Sequence, residues 1–250
     1  MKKTPFYTKE TVRIPSCGRQ MKLLIFRPVK NAKSPSKTPG ILWIHGGGYM
    51  TGMAEMIYMS RALPLVKKYG AVVVTPQYRL SGKYPNPFAP NGGLTAALCM
   101  YARNKGDIQI AFQMPLYPML DDRDTPSSRN NHAPVWNTRW NHLGWKTYLG
   151  PLWKKEQVPA YAAPARQTDY TGLPPAYTFV GDIEPFYCET LTYIKNLKKA
   201  GIKAAVHVYP GCFHAFDMLL PFLPVSKKAA ARFEKAYLYA ARHFFAPQKR

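Results

Sequence analysis

Runs of β-branched and apolar residues alternate with amphipathic helical patterns along most of this 250-residue chain. The alternation predicts an α/β fold with a mostly parallel, twisted sheet and helices on both faces, because consecutive parallel strands need a crossover that a helix normally supplies. The strand patterns cover residues 21–27, 41–45, 71–75, 108–113, 176–180 and 204–209. The helical patterns cover residues 56–69, 94–104, 185–200 and 226–245, and glycines at positions 70 and 106 predict the ends of the first two.

One long stretch interrupts this alternation. More than sixty residues separate the strand patterns at 108–113 and 176–180, and they contain four of the five tryptophans, Trp136, Trp140, Trp145 and Trp153. So long an insertion without strand signals predicts a small helical cap, residues 121–165, on a core formed by residues 1–120 and 166–250. The tryptophans are expected to line a pocket, to pack the cap's own core, or to do both.

The chain is strongly basic, with 35 Lys and Arg against 13 Asp and Glu and a net charge of +22. A field of this size attracts polyanions and anionic membrane surfaces. The basic residues are spread along the chain, however, and form neither a basic helix nor a known nucleic-acid motif. We therefore expect a solvated basic surface without a specific nucleic-acid partner, and a polyanion-associating protein is kept as an alternative.

Cysteine and histidine spacing argues against a metal site. The four cysteines are far apart and include no Cys-x-x-Cys pair, which is typical of reduced thiols. The six histidines show no metal-ligand spacing, so neither a metal nor another cofactor is predicted. The first residues lack the apolar core of a signal peptide, and no apolar run reaches the roughly 18 residues of a membrane span. The expectation is a cytoplasmic protein.

A glycine-rich loop directly follows the second strand pattern. The apolar run at 41–44 leads into His45, Gly46, Gly47 and Gly48. Consecutive glycines let backbone N–H groups approach a reacting carbonyl, because no Cβ blocks the approach. The Lys-Ser/Thr pair of a phosphate-binding loop and the spacing of a dinucleotide fingerprint are missing. The pattern therefore favours an oxyanion hole, in which fixed donors stabilise a tetrahedral intermediate.

A carboxylate and a histidine follow far downstream, in the order typical of an acyl-transfer hydrolase. Together with the glycine loop, they give the chain a resemblance to the α/β-hydrolase fold, in the hormone-sensitive-lipase-like branch of the carboxylesterases. The resemblance covers nearly the whole chain. It is carried by the segments 43–49, 76–80, 114–118, 173–177, 181–186 and 211–217.

The resemblance implies roles for several residues. Gly46, Gly47 and Gly48 would form the oxyanion hole with His45 bracing the loop, and His214 would be the general base. Glu184, in Glu-Pro-Phe where the family usually has Asp-Pro-Leu or Asp-Pro-Phe, would orient that histidine. Asp182 is the alternative acid, and either carboxylate could instead be a surface group at a helix N-terminus. Candidate residues of the substrate pocket are Tyr49, Trp136 and Trp140.

The nucleophile of such an enzyme is missing. No Gly-x-Ser-x-Gly occurs in the 250 residues, and in an ungapped match Ala89 stands where the elbow serine belongs. The chain lacks the central nucleophile-bearing strand and its helix, roughly 40 residues judged from the usual size of a βαβ unit. The other candidate nucleophiles are Ser81, Thr95, Cys99 and Cys212. All four are disfavoured, because none of them stands in a glycine-framed turn that reaches both the base and the oxyanion donors. A closed, seven-stranded sheet is predicted if the strands at 41–45 and 108–113 pair directly.

The resemblance implies a carboxylic ester hydrolase for small acyl esters that uses no cofactor. Without its serine, this chain is predicted to have little or no such activity. An alternative is a non-catalytic protein that keeps the cap pocket for a small hydrophobic ligand. The resemblance also suggests a homodimer.

Overall fold

The computed structural model describes residues 6–29, 39–83 and 93–248. By its contacts the chain divides into two compact units. The first consists of Met1–Gly47 and Thr51–Arg79, and the second of Gly48–Met50 and Leu80–Arg250. The predicted cap, 121–165, falls inside the second unit together with 166–250, and its boundaries stay a prediction. In the described ranges no helix is long and apolar enough to cross a membrane.

The first unit is built on a four-stranded sheet with the order β1-β2-β4-β3. Its strands are β1 (Tyr7–Ser16), β2 (Arg19–Pro28), β3 (Gly40–Leu42) and β4 (Val72–Pro76). β1 and β2 form an antiparallel hairpin whose turn, Cys17-Gly18, has positive φ at both residues, as a two-residue hairpin turn requires. β2 is also antiparallel to β4, whereas β3 pairs with β4 in parallel.

Helix α1 (Ala62–Tyr69) covers the core of this unit and follows a 3₁₀ segment at Ala54–Met59. The helical pattern at 56–69 is therefore realised as two segments, and Gly70 ends the second with φ +67, as predicted. Buried side chains from both segments pack on Leu24 and Phe26 of β2 and on Val73 of β4. They are Ala54, Ile57, Ala62, Leu63 and Val66.

The second unit contains a pair of parallel strands, β5 (Ala176–Gly181) and β6 (Ala204–Tyr209). The crossover between them is α4 (Tyr187–Lys199), so the predicted strand–helix–strand order is confirmed for this part of the chain. The other helices are α2 (Leu94–Lys105), α3 (Thr138–Leu149), α5 (Phe216–Leu219) and α6 (Pro224–His243). Short 3₁₀ turns lie at Gly150–Leu152 and Pro164–Arg166.

The tryptophan-rich stretch packs around α3. Asn137 caps this helix by accepting a hydrogen bond from the Trp140 backbone, a usual role for asparagine. Trp145 is fully buried, and Trp136 and Trp153 pack against the same cluster. Trp140 is 44% exposed. Most of the tryptophans therefore pack the local core.

The strand predicted at 108–113 is wrong: it is reduced to one parallel bridge between Gln113 and Ala176. Gln113 donates to the carbonyl of Pro175 and accepts from the amide of Tyr177. The ladder is interrupted on either side because the next donors would be the nitrogens of Pro175 and Pro115, which carry no hydrogen.

The closed, seven-stranded sheet is also wrong for the part of the chain that the structure describes. There the strands form one sheet of four and one of two. The parallel pairing expected from the alternation holds for β3–β4 and β5–β6, whereas β1 and β2 are antiparallel. Residue 89 and the junction at 90–91 lie outside the described residues.

Candidate active site

The second unit brings one histidine and one carboxylate together at the carboxyl ends of β5 and β6. Nδ1 of His214 lies 2.6 Å from Oε2 of Glu184. The other carboxylate oxygen accepts a hydrogen bond from the amide of Gly181, at 2.9 Å. Glu184 is fully buried, whereas the His214 side chain is 20% exposed. A carboxylate held in this way fixes the imidazole with its proton on Nδ1, which leaves Nε2 as the basic atom.

The alternative acid, Asp182, has a different partner. Its Oδ1 accepts a hydrogen bond from the amide of Gly211, at 2.7 Å, and the residue is exposed. Gly211 has φ +68, a left-handed conformation that glycine adopts readily. Asp182 thus holds the start of the loop that carries His214, and His214 itself donates its hydrogen bond to Glu184.

Three aromatic rings surround the His214 imidazole. Tyr117 and Phe186 meet it edge to face, with centroid distances of 4.8 and 5.1 Å. Trp136 lies 6.2 Å away. Among the described residues no side chain or backbone group is hydrogen-bonded to Nε2. The imidazole is therefore positioned on one edge and available on the other.

In the first unit, the glycine loop is braced by a buried histidine. His45 is 2% exposed, and burial lowers its pKa, so the ring is neutral near pH 7. Its Nδ1 lies 2.7 Å from the carbonyl oxygen of Gly46, which can only accept, so Nδ1 carries the proton. The Tyr78 hydroxyl donates to the His45 carbonyl at 2.5 Å, and the two rings stack at 4.1 Å. Tyr78 therefore supports the loop, and in the sequence it was noted only as part of the segment 76–80 that resembles the family.

Two glycines of this loop cannot be replaced without strain. Gly47 has φ +129, and a Cβ on it would overlap the carbonyl oxygen of Thr51. The Thr51 amide also donates to the Gly47 carbonyl, at 3.0 Å. Gly52 has φ +117, and its Cβ would lie 2.5 Å from Cε1 of His45. Within the described residues, the amides of Gly46, Gly47 and Gly48 donate no hydrogen bond. Amides that are to stabilise an oxyanion must be free of other acceptors in this way.

The second unit begins with the last residues of the loop. A Cβ on Gly48, which has φ +56, would overlap the indole of Trp136, so this ring packs directly on the glycine. Tyr49 has φ +68, and its buried hydroxyl donates to the Met119 carbonyl at 2.9 Å. Of the three candidate pocket residues, Trp136 thus lies beside His214, Tyr49 packs in the cap core, and Trp140 lies on the exposed side of α3.

Three of the four possible substitute nucleophiles are hydrogen-bonded or buried. The Ser81 hydroxyl donates to the carbonyl of Tyr49, at 2.7 Å. Burial raises the pKa of Cys99 to about 12 and also raises that of Cys212, so both are neutral thiols at pH 7. Thr95 lies in the first turn of α2. In the described ranges no group of three or more His, Cys, Asp or Glu side chains could hold a metal ion.

Glu189, in the first turn of α4, is a buried carboxyl that the sequence did not single out. Its Oε1 accepts a hydrogen bond from the amide of Leu120, at 2.6 Å, while Oε2 is buried and unpartnered. Burial raises its pKa well above the usual range. The folded chain therefore holds a proton that the unfolded chain releases, and stability falls as pH rises between the two pKa values.

Glu189→Gln is expected to become increasingly stabilising, relative to the wild type, as pH rises from the usual carboxyl pKa toward the raised pKa of Glu189. The neutral amide removes the free-energy term that grows by up to about 1.4 kcal/mol per pH unit. Urea unfolding of both proteins at each pH measures the difference. Asp107→Asn, at an exposed position after α2, is the control. An effect of Glu189→Gln that is independent of pH would contradict a protonated Glu189.

Two family profiles match different parts of this chain. A family profile described as the alpha/beta hydrolase fold matches residues 91–218, and a carboxylesterase family profile matches residues 21–82. Esterase LipI of Mycobacterium tuberculosis is 25% identical over 230 aligned residues, which cover 79% of this chain and 71% of the relative.

Solved structures resemble the chain over most of its length. A bacterial heroin esterase superposes with a TM-score of 0.85 and 29% identity, covering 96% of this chain and 87% of the other. Esterase LipW of Mycobacterium marinum superposes with a TM-score of 0.82 and 24% identity, covering 94% and 82%.

Proposed function

Because the chain belongs to the α/β-hydrolase family, we propose that it is a carboxylic ester hydrolase by descent that retains its acid–base pair and has lost its nucleophile. The observation that carries the proposal is the hydrogen bond from His214 to Glu184, with Nε2 of the same ring lacking a described partner. In acyl transfer that nitrogen takes the proton from an attacking hydroxyl. In this proposal His214 supplies the base, and the sequence lacks the elbow serine hydroxyl.

The alignments support the loss of a segment. The match to LipI spans 230 positions, but 79% of this chain is only about 198 residues, so roughly 30 aligned positions have no counterpart here. The two family profiles end at residue 82 and begin at residue 91. These profile boundaries flank the stretch where the sequence lacks its elbow, and a lost helix–strand unit would account for a gap of about this size.

The retained residues have defined roles in this proposal. Glu184 holds the Nδ1 proton of His214, and Tyr117 and Phe186 restrict the ring to one orientation. The free amides of Gly46, Gly47 and Gly48 are the remnant of the oxyanion hole. Trp136, which contacts Gly48 and faces His214, bounds the acyl or alcohol side of the pocket. The substrate class is a small acyl ester.

The wild-type chain is expected to show no turnover of a p-nitrophenyl ester series above the buffer rate, and no covalent labelling by a fluorophosphonate. Both reactions need a nucleophile that His214 can deprotonate. Spectrophotometric assay and intact-mass spectrometry measure them, with His214→Ala as the matched control. Stoichiometric labelling, or turnover that His214→Ala removes, would show that another residue has taken over the role of the serine.

A further inference from the structure

An open groove of about 510 Å³ lies between α4 and β6, away from the Glu184–His214 pair. We name it the α4–β6 groove. Leu191, Ile194 and Val206 supply apolar lining, and Lys195, Lys198 and Lys199 supply cations. Residues 191, 194/195 and 198 recur at three- and four-residue spacing, so these side chains form one stripe along the helix, about 10 Å long. The groove is therefore amphipathic, because apolar and cationic side chains line it together.

The three lysines of the groove are exposed. Within the described ranges no carboxylate lies within 4.0 Å of their ammonium groups, although five ion pairs between Lys or Arg and a carboxylate are found elsewhere in those ranges. The chain's net charge of +22 reinforces their local field. The three lysines are therefore expected to attract an anionic group.

The apolar lining narrows the choice of ligand. Ile194 belongs to the buried core, and Leu191 and Val206 are partly exposed beside it. A small hydrated anion would leave this lining in water, and an uncharged hydrocarbon would leave the lysines without a partner. A second copy of the chain, docked by two-fold symmetry, would place three further lysines against the first three, which like charges oppose.

We propose that the α4–β6 groove binds a free single-chain alkyl carboxylate, with its headgroup between the lysines and its chain along Leu191 and Val206, above the buried Ile194. The assignment does not depend on the proposed function, since it uses none of the residues of the candidate active site. A carboxylate in monomeric form fits a groove of this length, whereas a bilayer presents headgroups across a plane and buries its chains.

Isothermal titration calorimetry with butanoate, octanoate and decanoate, each below its micelle concentration, tests the proposal. One saturable site is expected, with affinity rising about two- to fourfold per methylene, because each CH₂ loses part of its contact with water. Lys195→Glu combined with Lys199→Glu should weaken decanoate binding at least about tenfold. Leu191→Ser should flatten the dependence on chain length.

The matched control is Lys227→Glu combined with Lys235→Glu, which changes net charge equally on exposed positions of α6. Circular dichroism and thermal unfolding verify that each variant is folded. Three results would overturn the assignment: equal weakening by the control pair, loss of binding in Trp136→Ala but not in the groove variants, or binding only to anionic vesicles and not to monomeric carboxylate. The second result would place the ligand in the candidate active site. A failure of the groove proposal can therefore be distinguished from a failure of the proposed function.

Discussion

Inserting a helix–strand unit that ends in Gly-x-Ser-x-Gly, taken from the aligned region of an active family member, between residues 83 and 91 should raise ester hydrolysis at least about a thousandfold. The reference is the same insertion with its serine changed to alanine. The gain is large because the other participants are already organised, each within its own unit: Nδ1 of His214 is hydrogen-bonded to a buried Glu184, and the glycine amides have no competing acceptor among the described residues. The insert supplies the hydroxyl and the strand that presents it.

Hydrolysis of p-nitrophenyl butyrate and stoichiometric fluorophosphonate labelling measure this gain. Within the restored protein, His214→Ala should cost more than Glu184→Ala, because the base exchanges the proton whereas the carboxylate orients the base. Asp182→Asn is the matched control for the acid, since Asp182 hydrogen-bonds Gly211 rather than His214. A folded, cooperatively unfolding insertion protein that is no faster than its alanine version would contradict the proposed geometry of the retained pair.

The elements most visible in the sequence are those with a one-sided apolar pattern. β6 was predicted with its observed bounds, and the glycine that ends α2 adopts the left-handed conformation expected of it. β1 was not predicted, because it is an edge strand in which no residue is buried and whose apolar alternation is limited to Val12 and Ile14. The false strand at 108–113 has a suitable composition, and only its pairing partners reveal that prolines interrupt the ladder.

The candidate site shows the same division. The order of glycine loop, acid and base can be predicted from the sequence. The choice between Glu184 and Asp182 cannot, because it depends on which carboxylate of the segment 181–186 points toward the imidazole of His214. Tyr49 adjoins the glycine loop and was expected in the pocket. Its positive φ instead turns the side chain into the cap core, where its hydroxyl is hydrogen-bonded to Met119. A backbone conformation of that kind is set by tertiary packing, which a local pattern does not encode.

Gly181→Ala is expected to destabilise the second unit by about 3 kcal/mol or more. Gly181 ends β5, and a Cβ on it would overlap the carbonyl oxygen of Cys212 and lie 2.6 Å from the carbonyl carbon. Both obstructing atoms are backbone, so no side-chain rotation relieves the overlap. Either β5 or the loop that carries His214 must move.

The same substitution should disturb the site as well as the fold. The Gly181 amide donates to Oε1 of Glu184, and Cys212 stands two residues before His214, so a displaced loop changes both ends of the pair. Urea unfolding measures the stability, and the downfield proton resonance of His214 Nδ1–H reports the hydrogen bond. Gly40→Ala is the matched control: it is also a strand-terminal glycine, but its Cβ would meet no atom within 4 Å. Wild-type stability and an unchanged resonance in Gly181→Ala would mean that the loop does not pack on β5, and the Glu184–His214 geometry would then have to be revised.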